Sequence, residues 1–267
     1  MKLTGEQCET LDREGFLFLP DLFSAEEAAA LRAALPAVFA RTGPEIVREH
    51  SGAVRTAFGV HTYSDIYWRL SRHPRLVEPA MQILGGPIYI HQFKVNAKAA
   101  FDGDVWQWHQ DYGTWSRDDL MPEPKAMNLA VFLDPVNEFN GPLMFIPRSH
   151  RLGRIEAGHD LETTSYPLWT VDNETIEKLV AEGGIVAPKG EPGAALLFHC
   201  NLVHGSAPNM SPWGRLAVYF SANRVDNAIR RFQRPEYIAH RDFAPIEPLD
   251  DDCLLVEPER TASAAAQ

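Results

Sequence analysis

The sequence predicts a mainly β protein with flanking helices, in the form of a β-sandwich or open barrel backed by those helices. Two observations carry the expectation. Helical capping and stop signals are concentrated in the N-terminal third, and after residue 87 the chain breaks into short apolar or alternating runs separated by Gly, Pro and Asn turns. No internal repeat is present, so one domain is expected over 1–260, with the small-residue tail "TASAAAQ" at 261–267 expected to be disordered.

Taken in order, "LTGEQCETLDREGFLFLPDL" reads as a short polar helix that turns at Gly15 into an apolar strand, Phe16 to Leu19. Ser24 with Glu27 three residues on forms a capping box ahead of a run of strong helix formers. "HPRLVEPAMQILGG" predicts another helix, stopped by Gly85 and Gly86. "IYIHQFKVNAK" alternates, placing Gln92, Lys94, Asn96 and Lys98 on one face and Phe93, Val95 and Ala97 on the other, with Ile90 grouped beside the apolar set. Such a polar strand face can line a pocket. "AMNLAVFL", "GPLMFIP", "GAALLFH" and "RLAVYFSAN" are further strands, and the weakly patterned stretch 151–190 is expected to hold a lid or the inserted helix "DNETIEKLVAEGG".

Composition excludes several classes of function. Thirty-six acidic against 25 basic side chains give a net charge of −11, which repels a nucleic-acid backbone. No apolar run approaches the roughly eighteen residues of a membrane span, and "MKLTGEQCET" has no apolar signal segment. The expected partner is thus a small molecule, with neither nucleic acid nor membrane, and the expected location is cytoplasmic. Cys8, Cys200 and Cys253 are widely spaced and read as free thiols.

The chemistry is concentrated in "WQWHQDYGTW", residues 106–115, where His109 and Asp111 stand two apart among four aromatic residues. On a strand, residues two apart face the same side, so both side chains can reach one ion. An isolated pair of this kind means little. It gains weight from His204, which closes an apolar strand and is followed eleven residues later by Arg215. Two histidines and one carboxylate on a β-scaffold match the ligand set of non-haem iron(II) oxygenases. Three protein ligands leave three positions on an octahedral iron, two for a bidentate 2-oxo acid and one for dioxygen. The planar fork of Arg215 suits the far carboxylate of a dicarboxylate cosubstrate.

At these residues the chain resembles a known family. "WHQD", "NEFNGPLMFIPRSH" and "VHGSAPNMSPWGR" are similar to the phytanoyl-CoA dioxygenase superfamily of Fe(II)- and 2-oxoglutarate-dependent oxygenases, whose fold is a double-stranded β-helix, the cupin-like jelly roll. The resemblance runs over nearly the whole chain, from "EGFLFLPDLFS" to "NRVDNAIRRFQRPEYIAHRDFAPIEPL". Within the superfamily, "HPRLVEPAMQILGGPIYIHQFKVNAKAAFDGDVWQWHQDY" is similar to bacterial hydroxylases of free amino acids, proline 4-hydroxylases and leucine hydroxylases, while "FNGPLMFIPRSH" and "HGSAPNMSP" are shared with ectoine hydroxylase. After the His-x-Asp pair the text "YGTWSRDDLMP" departs from the ectoine hydroxylase pattern, which points to a proline- or leucine-like substrate instead.

The resemblance implies that His109, Asp111 and His204 are the iron ligands and that Arg215, helped by Ser206, holds the distal carboxylate of 2-oxoglutarate. It places Gln92, Asn96 and Asn128 where relatives present polar groups to cosubstrate or substrate, and Trp106, Tyr112 and Trp115 where they shape the substrate pocket. The implied reaction is hydroxylation of an unactivated C–H bond with release of succinate and CO2. Desaturation or cyclisation of another small metabolite, and a non-catalytic metal-binding jelly roll, stand as alternatives. His50, His61, His73, His159 and His240 are expected to be surface or packing residues, His91 and His199 core, and His150 part of a loop closure. Gln110 and Trp108 should turn away from the metal, and Tyr112 and Trp115 should lie on a loop at the pocket mouth.

Overall fold

The computed structural model describes residues 1–163 and 166–256, so the expected tail at 261–267 lies outside the described residues. Helix α1 (Gly5–Glu14) carries a complete capping box, Thr4 with Gln7, and ends at Gly15, whose φ of 83° is a left-handed conformation that glycine adopts without a Cβ penalty. Strand β1 (Phe16–Leu19) follows at once. The second capping box, Ser24 with Glu27, opens α2 (Ala25–Ala33), and α3 (Leu35–Phe39) continues from it. Strands β2 (Ile46–Arg48) and β3 (Val54–Phe58) form a hairpin. Then come α4 (Asp65–Leu70) and α5 (Pro74–Leu84), the latter beginning at a proline and stopping at Gly85 as its sequence signals require.

The strand-rich part begins with β4 (Ile88–Lys98) and β5 (Trp106–His109). After α6 (Asp111–Asp118) come β6 (Ala126–Phe132), β7 (Met144–Phe145), β8 (Gly158–Asp160) and β9 (Leu168–Thr170). Helix α7 (Asn173–Gly183) is the expected inserted helix, and β10 (Ala195–His199), β11 (His204–Ser206) and β12 (Arg215–Arg224) complete the strands.

These strands form two antiparallel sheets, one in the order β1-β10-β6-β12-β4-β3-β2 and the other β7-β11-β5-β9-β8, which is the expected jelly roll. Alternation assigns the two faces of the large sheet. Phe93, Val95, Leu129, Val131, Val218 and Phe220 point outward into a core shared with α2 through α5. Ala130, Phe132, Leu196, Phe198 and Ala217 point inward and meet Leu143 and Phe145 near the small sheet. Strand β6, covered on both sides, is buried at every residue.

Ile90 joins the outward set although it shares the parity of Gln92. The register explains this: Ser221 pairs with Gln92 while the next residue, Ala222, pairs with Ile90, so His91 is the extra residue of a β-bulge. None of the helices among the described residues is long and apolar enough to cross a membrane.

Candidate active site

The small sheet brings the two distant histidines together. His204 on β11 is the direct cross-strand partner of His109 on β5, and their rings lie with centroids 4.1 Å apart. The third group arrives differently from the expectation. Strand β5 ends at His109, and Asp111 is the first residue of α6, not a strand residue. One extended residue, Gln110, separates them and keeps both side chains on the same side. His109 Nε2 stands 3.8 Å from Asp111 Oδ1 and His204 Nε2 stands 3.6 Å from Asp111 Oδ2. Their ligand atoms all lie within 4.8 Å of one another.

The protonation of this cluster follows from its hydrogen bonds. His109 Nδ1 lies 2.6 Å from the Gln107 carbonyl and His204 Nδ1 lies 2.9 Å from the Leu202 carbonyl. A carbonyl only accepts, so each Nδ1 carries the proton and each Nε2 turns a lone pair toward the cluster centre. Burial pushes His109 down to about 3, with His204 adding to it, and burial likewise lowers His204. Both imidazoles are therefore neutral near pH 7. For Asp111, burial acts to raise the pKa, but its neighbours, Lys94 and a hydrogen bond from Asn128 among them, outweigh it and leave the carboxylate below its ordinary value. Two neutral imidazoles and a carboxylate, all buried or nearly so, fit a divalent first-row metal with open positions.

The large sheet supplies the opposite wall. Arg215, at the start of β12, lines the cavity. It is buried, its Nε has no hydrogen-bond partner, and burial lowers its pKa against only the influence of Tyr219. Among the described residues a buried guanidinium left so lacks an anion, and a carboxylate is what its fork geometry fits. Ser206 Oγ, also buried and without a partner among the described residues, lines the same cavity. Asn128 does not act alone: its Nδ2 donates to Asp111 Oδ2 at 2.7 Å and its Oδ1 accepts from Ser221 Oγ at 2.5 Å. Gln92 accepts from Lys94 Nζ at 2.9 Å and donates to the Ile238 carbonyl, and Asn96 accepts from Thr56 Oγ1 at 2.9 Å. All three line the cavity.

The aromatic expectations divide. Trp106 and Trp115 line the cavity; Arg55 sits over the Trp106 ring at 4.1 Å, and Trp115 packs edge-on against His91 at 4.7 Å. Tyr112 is not brought to the cavity. One helical residue past Asp111, it points into a core cluster with Trp115, Met121, Cys200 and Ile229, and its hydroxyl donates to the Pro122 carbonyl at 3.0 Å. The expected loop at the mouth is helix α6, and helical rather than strand geometry decides which side each residue faces.

Gln110 turns into the wall as expected, bonded to the Gly153 and Asn201 carbonyls and to the Ile155 amide. Trp108 packs beside Val171 and Ile176. Among the other histidines, His91 is fully buried, His61, His73 and His240 are buried, and His50 and His159 are exposed.

Several cavity residues were given no role from sequence. Lys94, Thr114, Tyr166, Tyr219 and Arg234 all line it. Lys94 shares the β4 face already read as pocket-forming, and that alternation was a sufficient signal. Arg234 comes from the irregular arm after β12, where "RRFQR" distinguishes no arginine from its neighbours.

Comparison with known proteins agrees with this geometry. The family model described as phytanoyl-CoA dioxygenase (PhyH) matches residues 11–217. An ectoine dioxygenase of Bordetella parapertussis is 39% identical over 266 residues, covering 93% of this chain and 86% of its own. The L-proline trans-4-hydroxylase of Streptomyces griseoviridis is 37% identical over 253 residues, covering 91% and 94%. The crystal structure of EctD from S. alaskensis with bound Fe superposes with a TM-score of 0.82 at 35% identity, covering 92% of this chain and 87% of that one. The same protein with 2-oxoglutarate and 5-hydroxyectoine gives 0.80 at 35% identity, covering 96% and 87%. With the matched segment spanning the buried His-Asp-His cluster and the anion-seeking Arg215 across the cavity from it, the chain belongs to the phytanoyl-CoA dioxygenase family and is a non-haem iron, 2-oxoglutarate-dependent dioxygenase.

Proposed function

We propose that the protein hydroxylates an unactivated C–H bond of a small amino-acid-like carboxylic acid, proline- or leucine-like in size, with release of succinate and CO2. His109, Asp111 and His204 hold the iron, and Arg215 with Ser206 takes the distal carboxylate of 2-oxoglutarate. Bound together, iron(II), 2-oxoglutarate and dioxygen supply the oxidising power of the reaction. The protein's own residues bind, orient and exclude water.

The observation that carries this reading is the distribution of charge across one buried cavity. Among the described residues Arg215 lies on one side without an anion, and Lys94 and Arg234, the latter paired with Asp119, present further N–H donors elsewhere on the lining. This supports separate places for two carboxylate-bearing molecules, the cosubstrate at Arg215 and the substrate at Lys94 and Arg234. Leu143, Leu168 and Trp115 provide the apolar lining for a short aliphatic or ring portion. The similarity to an ectoine dioxygenase and to a proline hydroxylase supports a small carboxylate substrate and does not choose between them.

The test is a succinate-release screen of anaerobically iron-loaded protein against free amino acids and cyclic derivatives, ectoine included, with uncoupled turnover subtracted. A coupled substrate yields hydroxylated product equal to the additional succinate. Turnover that persists after full chelation, or succinate release that no amino-acid-like compound stimulates, overturns the reading.

A further inference from the structure

We propose that Asp119 is a positioning residue of this active site, acting through Arg234: it fixes the guanidinium that meets the substrate carboxylate. The inference rests on the substrate reading above.

Asp119 has no exposed surface. Its carboxylate accepts from Arg234 Nε at 2.8 Å and from Arg234 Nη2 in a two-point pair. Its carbonyl accepts from the Arg230 and Arg231 amides at 3.0 and 2.9 Å. One residue thus grips the C-terminal arm by backbone and side chain together. Asp119 is also the C-cap of α6, the helix that begins with Asp111 and carries Trp115 on the cavity wall. A third element closes around it, since His91 Nε2 from the β4 bulge lies 3.4 Å from Oδ2.

The arm itself provides little to aim Arg234. After Asn227 the described residues have neither helix nor strand, and Tyr166 also bonds the guanidinium. Pairing through Nε and Nη2 uses one edge of the planar fork, and Arg234 also lines the cavity. A salt bridge this deeply buried is weak evidence for stability, because desolvation offsets much of its attraction; fixing orientation is the role better suited to it. It also ties the substrate-facing cation to the same helix as a metal ligand, so the distance between substrate carboxylate and iron site is set within one rigid element.

The probe is the acid with the highest coupled turnover by the wild-type enzyme in the screen. Wild-type turnover tests the functional reading, and only the variants test Asp119. Asp119→Asn should raise the KM for that acid by about tenfold or more, the effect of misaligning one charge-assisted hydrogen bond, while cobalt(II) affinity and the KM for 2-oxoglutarate stay at wild-type values. In an Arg234→Gln background the same Asp119→Asn change should add little further loss, because Asp119 acts only through Arg234. Arg234→Lys keeps the charge without the fork and gives a second route if Asp119→Asn does not fold; it should show the same selective rise in substrate KM. Additive losses in the double variant, or an unchanged substrate KM in Asp119→Asn or Arg234→Lys, overturn the proposal.

Discussion

Asn128 donates from Nδ2 to Asp111 Oδ2 at 2.7 Å and is itself held by Ser221 Oγ at 2.5 Å, so the carboxylate of the small-sheet cluster is oriented from the large sheet. This relationship links the two halves of the jelly roll at the metal site. Asn128→Ala removes the donor and leaves the Asp111 carboxylate free to turn. Metal affinity should fall by roughly tenfold to a hundredfold, as for other partners of metal ligands, measured by cobalt(II) titration of the folded variant. Affinity equal to wild type would show that α6 alone orients Asp111.

Arg215 tests the cosubstrate side. Arg215→Lys keeps a positive charge but gives up the two-point fork, so the KM for 2-oxoglutarate should rise by about tenfold to a hundredfold. Iron-site affinity measured without 2-oxoglutarate should not change, because Arg215 belongs to the opposite sheet. An unaltered 2-oxoglutarate requirement would transfer the role to another cation of the cavity, Lys94 first.

How much of this was legible in the sequence depends on local pattern. The strand faces of β6 and β12, and of β4 beyond the His91 bulge, follow simple alternation, and the pocket-facing set Gln92, Lys94 and Asn96 could be read directly. The His109–His204 pairing could be anticipated only through a ligand-set argument, since 94 residues of sequence separate two strands that the sheet register makes neighbours.

What was illegible has physical reasons. Helix α6 begins inside an aromatic run, its N-cap Gln110 makes no side-chain cap bond, and Gly113 weakens its helical signal. The sequence therefore points Tyr112 to a pocket mouth, whereas helical geometry turns it into the core. Arg234 and Tyr166 reach the cavity from irregular segments, where no periodicity announces a direction.

The buried neutral histidines set an acid limit on stability. Burial lowers His61 to about 2, with His240 and Arg72 adding to it. His199 falls to about 4 through burial and His150, and His240 to about 4 through burial and His91. An unfolded chain titrates these groups near 6.5, so below that pH the unfolded state binds more protons than the folded one. Their contribution is full above pH 6.5 and is lost as pH falls toward 4, and for His61 further still. Each such histidine adds a slope of about 1.4 kcal/mol per pH unit within its window. Urea midpoints of the metal-free protein should be level from pH 7 to 8 and fall steeply from pH 6 to 5. His240→Gln should flatten that fall, and a midpoint unchanged between pH 7 and 5 would contradict the assignment of neutral buried rings.

Trp115 and Tyr112 share one core cluster, and of the two Trp115 also reaches the cavity. Trp115 is 1% exposed, lines the cavity and packs edge-on against His91 at 4.7 Å, whereas Tyr112 lies three residues earlier on the same helix with its hydroxyl on the Pro122 carbonyl. The position of attack on a substrate depends on which C–H bond is held nearest the iron site, and a displacement of about 1 Å can cost on the order of a hundredfold in rate. Trp115→Ala would also open a core void costing roughly 3–5 kcal/mol, so Trp115→Phe, which keeps an aromatic ring of smaller volume, is the better variant. It should lower the ratio of hydroxylated product to succinate or change the carbon oxidised, because 2-oxoglutarate is still consumed while the substrate sits less firmly. Tyr112→Phe should cost about 1 kcal/mol of stability from the lost hydroxyl bond and leave both the ratio and the regiochemistry at wild-type values. If the two variants behave alike in product ratio, Trp115 serves only packing, and substrate placement rests with the charged residues Lys94 and Arg234 rather than with the aromatic wall.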